Sequence, residues 1–508
     1  MPRPPLTRGT AAAPVLALVL LLSLLMTACS LATSPAKPFL TPRATRSAAI
    51  VSAPTPGATA LIRPDTAWRV RAWAPLAVLA GYVSPSSTLP GGVLHLHLRG
   101  SHPKVHVQVF RSGWYGGAGA ALVRSLEVTV LPPGRPVLLD PARRTWTAAW
   151  PESTALDTTG WPPGHYLVLA SALGGQTWVP FTITSPTMTG RVVLLTENTT
   201  WQAYNAWGGA SLYHGSDGAR RTRAYAVSHD RPLDYGDGAG DYSGNELPLI
   251  ELADRLGLPL AFATDTDLAG APGLLDGARA VISLGHDEYW STAMREQLLR
   301  ARDQTGTNLA FFGANAIYRH IRLESLDGLA NRIEVNYKSA YLDPVTRTNS
   351  AEATSDWPSG PHPYDGKQIT GGAYQCNPVH TDLLLSDPTA WVLAGLNLPV
   401  GFRLRGIVGS EYDKVVPGGN APASLVSLAR SPLQCSGRHD HSDIAYYTVP
   451  SGAAGLDIGT STWVCVLSNV CGGLPVTSDE QRVVTAITTN VLRAFALGPA
   501  GRQHPAVP

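Results

Sequence analysis

The chain has 508 residues, of which 44% are hydrophobic, so its length and composition allow two domains with a large buried core. A formal net charge of +2 lacks the concentrated basic character that nucleic-acid binding requires, and we expect no nucleic-acid partner. The 50 glycines and 42 prolines indicate many turns and argue against a helical bundle.

Residues 1–29 are predicted to be a lipoprotein signal peptide. Arg3 and Arg8 precede an apolar run over residues 11–26, which is short for a membrane span and typical of a signal sequence. The run ends at Cys29, in a context that resembles a bacterial lipidation site. We expect export and a lipid anchor at Cys29 on the extracytoplasmic face of the cell membrane. An ordinary signal peptide or a short anchor is the alternative.

Residues 30–72 are rich in Pro, Ala, Thr and Ser and are predicted to be a flexible tether. Residues 73–188 are predicted to form a small immunoglobulin-like β-sandwich. Apolar residues alternate with polar ones over 94–98 and 105–109, which is typical of strands with one buried face. Further strands are expected around 128–130, 166–169 and 178–181.

Residues 189–500 are predicted to form a three-layer α/β domain with a mostly parallel sheet, of the glutamine-amidotransferase-like kind. Short apolar runs at 192–195, 280–284 and 308–312 are typical of buried parallel strands. Apolar positions at helical spacing predict intervening helices that end near Gly257 and Gly306. Ser478 and Gln481 predict a capping box at the start of the last helix.

Cysteine usage agrees with export. Without Cys29, four cysteines remain, an even number that suits an oxidising compartment. Three pairings are open, and we favour Cys376–Cys435 with Cys465–Cys471. A zinc site is the rival interpretation, but the spacing lacks paired CxxC motifs.

Polar and aromatic side chains follow the three predicted strands, at residues 196–209, 285–290 and 313–315. Ligands bind beyond the carboxyl ends of the strands in open α/β sheets, so these segments are the candidate site. The side chains that could converge there are Glu197, Asn198, Gln202, His286, Asp287, Glu288 and Asn315.

Several catalytic motifs are missing from the sequence. There is no GxSxG nucleophile elbow, no HExxH, no Walker A loop and no GxGxxG after a strand. No cysteine lies at a strand-to-helix turn, which argues against a cysteine nucleophile. A metal that polarises a carbonyl and lowers the pKa of water is then the natural route to hydrolysis. Tyrosine and glutamate oxygens would suit a hard ion such as Fe(III) better than zinc.

Two motifs of the candidate site are long and unusual. Residues 285–291 (GHDEYWS) and 311–316 (FFGANA) resemble the C-terminal region of the large (beta) subunit of N,N-dimethylformamidase. Residues 111–117 and 164–166 are similar to the preceding β domain of that family, and 409–413 to a later segment. The similarity extends over roughly residues 75–497.

The resemblance implies an amidohydrolase that cleaves the C–N bond of a small linear amide with a mononuclear Fe(III). It implies Tyr166, Tyr204 and Glu288 as metal ligands, so that iron would lie at the junction of the two domains. His286 and Glu411 would be the catalytic groups that act on water or substrate. The oligomeric state and the physiological substrate stay open.

A second interpretation is a non-catalytic cell-surface protein that binds a glycan or peptide on the same scaffold. It would use the β-sandwich and a set of aromatic side chains to hold the ligand, namely Trp114, Tyr115, Trp201, Trp207 and Trp290. A protein purified without metal would favour this interpretation.

Overall fold

The computed structural model describes residues 62–234, 241–385, 387–468, 471 and 476–507. Over these residues the chain is a mixed α/β protein with many strands and few helices. The predicted signal peptide and Cys29 lie outside them. Within the described ranges, no helix has the length and apolar character needed to cross a membrane.

The secondary structure follows the chain order. The strands are β1 (Arg63–Pro64), β2 (Leu79–Ser84), β3 (Ser87–Thr88), β4 (Val93–Gly100), β5 (Lys104–Ser112), β6 (Ala120–Thr129), β7 (Val137–Asp140), β8 (Thr145–Thr147), β9 (Thr154–Asp157), β10 (Gly164–Ala172), β11 (Gly175–Ile183), β12 (Val192–Thr196), β13 (Ala226–Ser228), β14 (Leu260–Thr264), β15 (Ala280–Ser283), β16 (Tyr289–Ser291), β17 (Asn308–Phe311), β18 (Arg319–Leu326), β19 (Leu329–Val335), β20 (Ser355–Asp356), β21 (Gly372–Leu385), β22 (Phe402–Val415), β23 (Val426–Cys435), β24 (Arg438–Thr448) and β25 (Ala454–Asp457). The α-helices are α1 (Asn198–Tyr204), α2 (Leu247–Arg255), α3 (Asp265–Gly270), α4 (Thr292–Arg300), α5 (Lys367–Thr370), α6 (Trp463–Val466) and α7 (Ser478–Ala496).

The N-terminal part contains two sheets that share a core, and strands β7 and β8 form a separate two-stranded sheet. One has the strand order β1-β6-β5-β10-β11-β3 and the other β2-β4-β9. Leu94, Leu96 and Leu98 of β4 share this core with Val105 and Val107 of β5, so the predicted alternation is confirmed. The immunoglobulin-like topology stays a prediction.

Strand β1 and Trp68 lie within the stretch that the sequence predicts as a tether. Strand β1 pairs with β6 in antiparallel fashion. The indole Nε1 of Trp68 donates to the carbonyl oxygen of Ala118 at 2.8 Å, and the side chain is buried. These residues therefore pack onto the six-stranded sheet.

The main sheet has the order β14-β12-β15-β17-β25-β24-β23. Its first five strands pair in parallel, and β24 and β23 extend it in antiparallel fashion. Leu194 and Ile282 face the same core as Leu249 of α2, whereas Val193 faces the core that contains Met294 of α4. Alternate strand residues thus bury opposite faces under helices. The glutamine-amidotransferase-like assignment stays a prediction.

The helix ends follow local chemistry. Gly257 and Gly306 adopt positive φ angles of 65° and 75° after the helical segments, as their positions predict. The capping box of α7 is one residue earlier than predicted: Thr477 Oγ1 accepts from the Glu480 amide, and Glu480 accepts from the Thr477 amide. Extended backbone at Thr477 allows it to act as the cap residue.

Two disulfides join Cys376 to Cys435 and Cys465 to Cys471, which confirms the favoured pairing. The first links β21 to the end of β23, beside a long antiparallel pairing of β21 with β22.

A further sheet, β13-β19-β18-β16, lies beyond the ends of the parallel strands, with β20 paired to β18.

Candidate active site

The segments after β12 and β15 are tied together by hydrogen bonds. Thr200 Oγ1 in α1 accepts from the Glu288 amide at 3.0 Å, and Thr199 Oγ1 donates to the carbonyl oxygen of Tyr289. Gly313 is required next to them, because a Cβ there would collide with the carbonyl oxygen of Gly285. These contacts bring the ends of three parallel strands together, as the topology predicts.

Three side-chain oxygens meet at the end of α1. Tyr204 Oη donates to Glu288 Oε2 at 2.7 Å, and Tyr213 Oη lies 2.5 Å from the same oxygen. The two phenol rings contact each other, with centroids 4.4 Å apart. Glu288 is almost fully buried. The structure therefore brings together two of the predicted metal-site residues, Tyr204 and Glu288, with a tyrosine that the sequence analysis did not select.

Two basic side chains lie against this group, and burial lowers the pKa of the Lys338 amine well below its usual value. Arg319 Nε donates to Glu288 Oε1 at 2.9 Å, and Lys338 Nζ lies 3.0 Å from the centroid of the Tyr213 ring. Burial is the largest influence on Glu288 and would raise its pKa, but Arg319, Lys338, His286 and the hydrogen bond from Tyr213 together outweigh burial and lower that pKa to about 2. Glu288 is consequently ionised at any pH at which the protein would work.

His286 and Glu411 form an ion pair next to these oxygens. His286 Nε2 lies 3.1 Å from Glu411 Oε2 and 3.9 Å from Glu288 Oε2. Burial would lower the pKa of His286, but Glu411 and Glu288 overcome it and raise the pKa to about 10. The imidazole is therefore protonated at neutral pH and can act as a proton donor.

The ion pair is close in distance but poorly aligned. His286 Nε2 and Glu411 Oε2 are both buried, and neither has a well-aligned hydrogen-bond partner among the described residues. Buried polar atoms are seldom left in this state, and such atoms often face a ligand. The predicted catalytic residues His286 and Glu411 thus direct their buried polar atoms at each other, 3.1 Å apart.

Glu411 is held by a β-bulge. Cys376 pairs with Tyr412 and Val379 with Ser410, so that two residues of β21, Asn377 and Pro378, lie opposite Glu411. Asn377 Nδ2 donates to Glu411 Oε1 at 2.7 Å. Bulges next to active sites commonly re-aim a side chain, and here the bulge directs Asn377 at the carboxylate.

Burial and Glu288 raise the pKa of Tyr204 and Tyr213 well above the usual value, so both phenols carry their protons and donate to the carboxylate. A bound cation would reverse this balance, because it favours the phenolate form.

Tyr166 does not join the group, and its assignment as a metal ligand is corrected. Its side chain lies in the sandwich core, where it stacks on Trp161 and Phe181. Its hydroxyl donates to the carbonyl oxygen of Pro162 at 2.6 Å. Alternation along β10 explains the difference, because His165 contacts Phe262 of the α/β part and Tyr166 must then face the other way.

Other polar residues of the three predicted segments have structural partners. Asp287 accepts from Ser283 and Trp290, and Gln202 accepts from Arg231. Asn198 donates to Thr266, Glu197 accepts from the Gly285 amide, and the Asn315 amide donates to Asp413. These contacts fix the loops, with Asn315 contributing its main-chain N–H, whereas Glu288 and His286 lie beside Glu411 and the two tyrosines.

The aromatic residues of the second interpretation are mostly inside the protein. Trp201, Trp207 and Trp290 are buried, which leaves Trp114 and Tyr115 partly exposed. A glycan or peptide could not stack on the three buried indoles.

Sequence reasoning missed Tyr213, Arg319, Lys338 and Asn377. Tyr213 follows the Gly208-Gly209 turn after α1 and lies four residues beyond the segment 196–209, so the only signal was its closeness in sequence to Tyr204. Arg319 and Lys338 reach the site through strand pairing in the sheet that contains β18 and β19, and Asn377 reaches it through the pairing of β21 with β22. No local sequence pattern reveals these pairings.

The residues present fit a hard metal ion. Among the described residues no group of three or more His, Cys, Asp and Glu side chains is arranged to hold a metal. The oxygens of Tyr204, Tyr213 and Glu288 converge as a three-oxygen donor set of the kind that hard ions prefer.

The model of the family described as "N,N-dimethylformamidase beta subunit-like, C-terminal" matches residues 106–473. A search of curated proteins finds no match.

Proposed function

Because the chain belongs to the N,N-dimethylformamidase beta subunit-like family, we propose that it is an iron-dependent hydrolase of the C–N bond of a small linear amide. The observation that carries the proposal is the convergence of Tyr204, Tyr213 and Glu288 beside the His286–Glu411 pair.

In this proposal Tyr204, Tyr213 and Glu288 hold a mononuclear Fe(III). The ion supplies Lewis-acid polarisation of the amide carbonyl when bound. Tyr213 replaces Tyr166 in the donor set that the resemblance implies, because the Tyr213 hydroxyl contacts Glu288 whereas the Tyr166 hydroxyl donates to Pro162.

The remaining chemistry belongs to His286 and Glu411. In amide hydrolysis the water oxygen bonds to the carbonyl carbon, the C–N bond breaks, and the nitrogen gains a proton. Glu411 is the carboxylate placed beside His286 to accept the proton that water loses. His286 is protonated and is the group placed to donate to the departing nitrogen. The products are a carboxylate and an amine.

The test is an assay of purified protein, loaded with Fe(III), against short N-alkyl and N,N-dialkyl formamides and acetamides, with amine release as the readout. The proposal expects turnover that disappears after chelation and returns on reloading. His286→Gln and Glu411→Gln should each lower kcat by about 100-fold or more, the range found for general acid–base groups. Absence of turnover on every amide by iron-loaded protein would reject the proposed activity.

We also propose that the chain is an exported lipoprotein anchored through Cys29. The two disulfides support an oxidising compartment, and the apolar run over residues 11–26 supports export. Expression of the full chain with Cys29→Ala should move the protein from the membrane fraction to the soluble fraction. An unchanged membrane fraction would refute the anchor.

A further inference from the structure

The two oxygens of Glu288 have different surroundings. Oε1 accepts from Arg319 Nε at 2.9 Å and from Tyr213 Oη at 2.8 Å. Oε2 lies between the two phenols, 2.7 Å from Tyr204 Oη and 2.5 Å from Tyr213 Oη, and has no cationic hydrogen-bond donor. The guanidinium thus contacts Oε1 alone, Tyr213 contacts both oxygens, and Tyr204 contacts Oε2.

Strand pairing fixes Arg319 in this position. Strand β18 lies between β16 and β20, and Arg319 pairs with Tyr289 on one side and with Asp356 on the other. The Arg319 amide also donates to the carbonyl oxygen of Glu288 at 2.8 Å. Main-chain register therefore places this residue between Glu288 and Asp356.

The guanidinium bridges these two carboxylates. Its Nε contacts Glu288, and its Nη1 is hydrogen-bonded to Asp356. The Tyr318 hydroxyl donates to the second oxygen of Asp356 at 3.3 Å. The planar fork of arginine can contact both partners at once, which the single ammonium of lysine cannot do.

We propose that Arg319 is a positioning residue that occupies Oε1 of Glu288 and leaves Oε2 as the one oxygen presented to a metal ion. This inference rests on the proposed function, since it concerns the same metal site. A cation that approached Oε1 would meet the guanidinium nitrogen at 2.9 Å, whereas the two phenols are the nearest groups at Oε2 and His286 Nε2 lies farther away, at 3.9 Å. Groups that orient a metal ligand in this way usually cost 10- to 100-fold in metal affinity when they are removed.

The test uses the full chain and four variants. Arg319→Gln removes the charge and the fork, Arg319→Lys keeps only the charge, and Asp356→Asn removes the outer anchor. Arg322→Gln is the matched control. Arg322 lies on the same strand, has a similar side-chain exposure (15% against 17%), and pairs with Asp343 away from Glu288.

Three quantities are measured: the iron content, the affinity for Fe(III) in competition with a chelator, and the visible phenolate-to-iron absorption. We expect Arg319→Gln to weaken iron binding by about 10- to 100-fold and to shift the absorption band. Arg319→Lys should recover part of the loss. Asp356→Asn, which leaves Arg319 in place, should give a smaller change in the same direction, and Arg322→Gln should match the unsubstituted protein.

Each result decides a separate point. Equal affinity and an unchanged band in Arg319→Gln would overturn the positioning role and leave the proposed function standing. Loss of iron in Arg319→Gln, without amide turnover by the iron-loaded unsubstituted protein, would support the positioning role and reject the amidase. Failure of the unsubstituted protein to bind iron would overturn both. Should Arg319→Gln not fold, a change in the band of Asp356→Asn supports the role, and an unchanged band in that variant overturns it.

Discussion

Tyr213 Oη lies 2.5 Å from Glu288 Oε2, although 75 residues separate the two in the chain. Tyr204 Oη reaches the same oxygen from the end of α1. The contact joins the loop after α1 to the loop after β15, and it defines the centre of the proposed site.

Tyr213→Phe should remove one of three oxygen donors and leave the ring in place. We expect iron affinity to fall by at least about 100-fold, the upper limit for changes outside the donor set. The measurement is a chelator competition followed by the visible phenolate absorption. Affinity equal to that of the unsubstituted protein would exclude Tyr213 as a ligand.

Tyr166→Phe tests the corrected assignment. The change removes the hydrogen bond from Tyr166 to the Pro162 carbonyl and should lower the free energy of unfolding by about 1 kcal/mol. Iron content should stay the same, because the ring remains in the sandwich core. Metal analysis and urea unfolding are the measurements, and loss of iron in this variant would restore Tyr166 as a ligand.

Asn377→Ala tests the bulge that holds Glu411. Loss of the 2.7 Å hydrogen bond to Oε1 frees the carboxylate, and we expect kcat on an amide to fall by about 10-fold or more with little change in KM. Asn490→Ala is the matched control, since Asn490 donates only to the carbonyl oxygens of Val392 and Ala394. Equal kcat in both variants would show that the bulge does not position Glu411.

The two disulfides should differ in their effect on stability. The chain-entropy relation assigns about 4 kcal/mol to a cross-link over 59 residues and about 2 kcal/mol to one over 6 residues. The paired change of Cys376 and Cys435 to Ser should therefore destabilise the protein more than the same change at Cys465 and Cys471. Urea unfolding is the measurement, and an equal or reversed order would contradict the prediction.

Much of the fold could be predicted because its signals are local. The buried runs at 192–195, 280–284 and 308–312 are strands of the parallel part of the main sheet, and the favoured cysteine pairing is present. Glu288 and His286 were found because they directly follow one of those strands. The cap of α7 differs by one residue, since Thr477 and Glu480 satisfy the same spacing as Ser478 and Gln481.

The rest of the site depends on contacts that no local pattern encodes. Arg319 reaches Glu288 through the register of β18 between β16 and β20, and Asn377 reaches Glu411 through a bulge. Tyr166 was misassigned because a short motif carries no information about which face of β10 it occupies. Its neighbour His165 faces the α/β part, and alternation then buries Tyr166 in the sandwich.

The most direct test of the account is the iron content of the purified full chain beside that of Tyr204→Phe and Glu288→Ala, with Arg322→Gln as the control for a partly buried change outside the site. The account predicts about one iron per chain in the unsubstituted protein and in the control, and loss of that iron in both site variants. Full iron occupancy in Tyr204→Phe and Glu288→Ala, or no iron in the unsubstituted protein after loading, would contradict it.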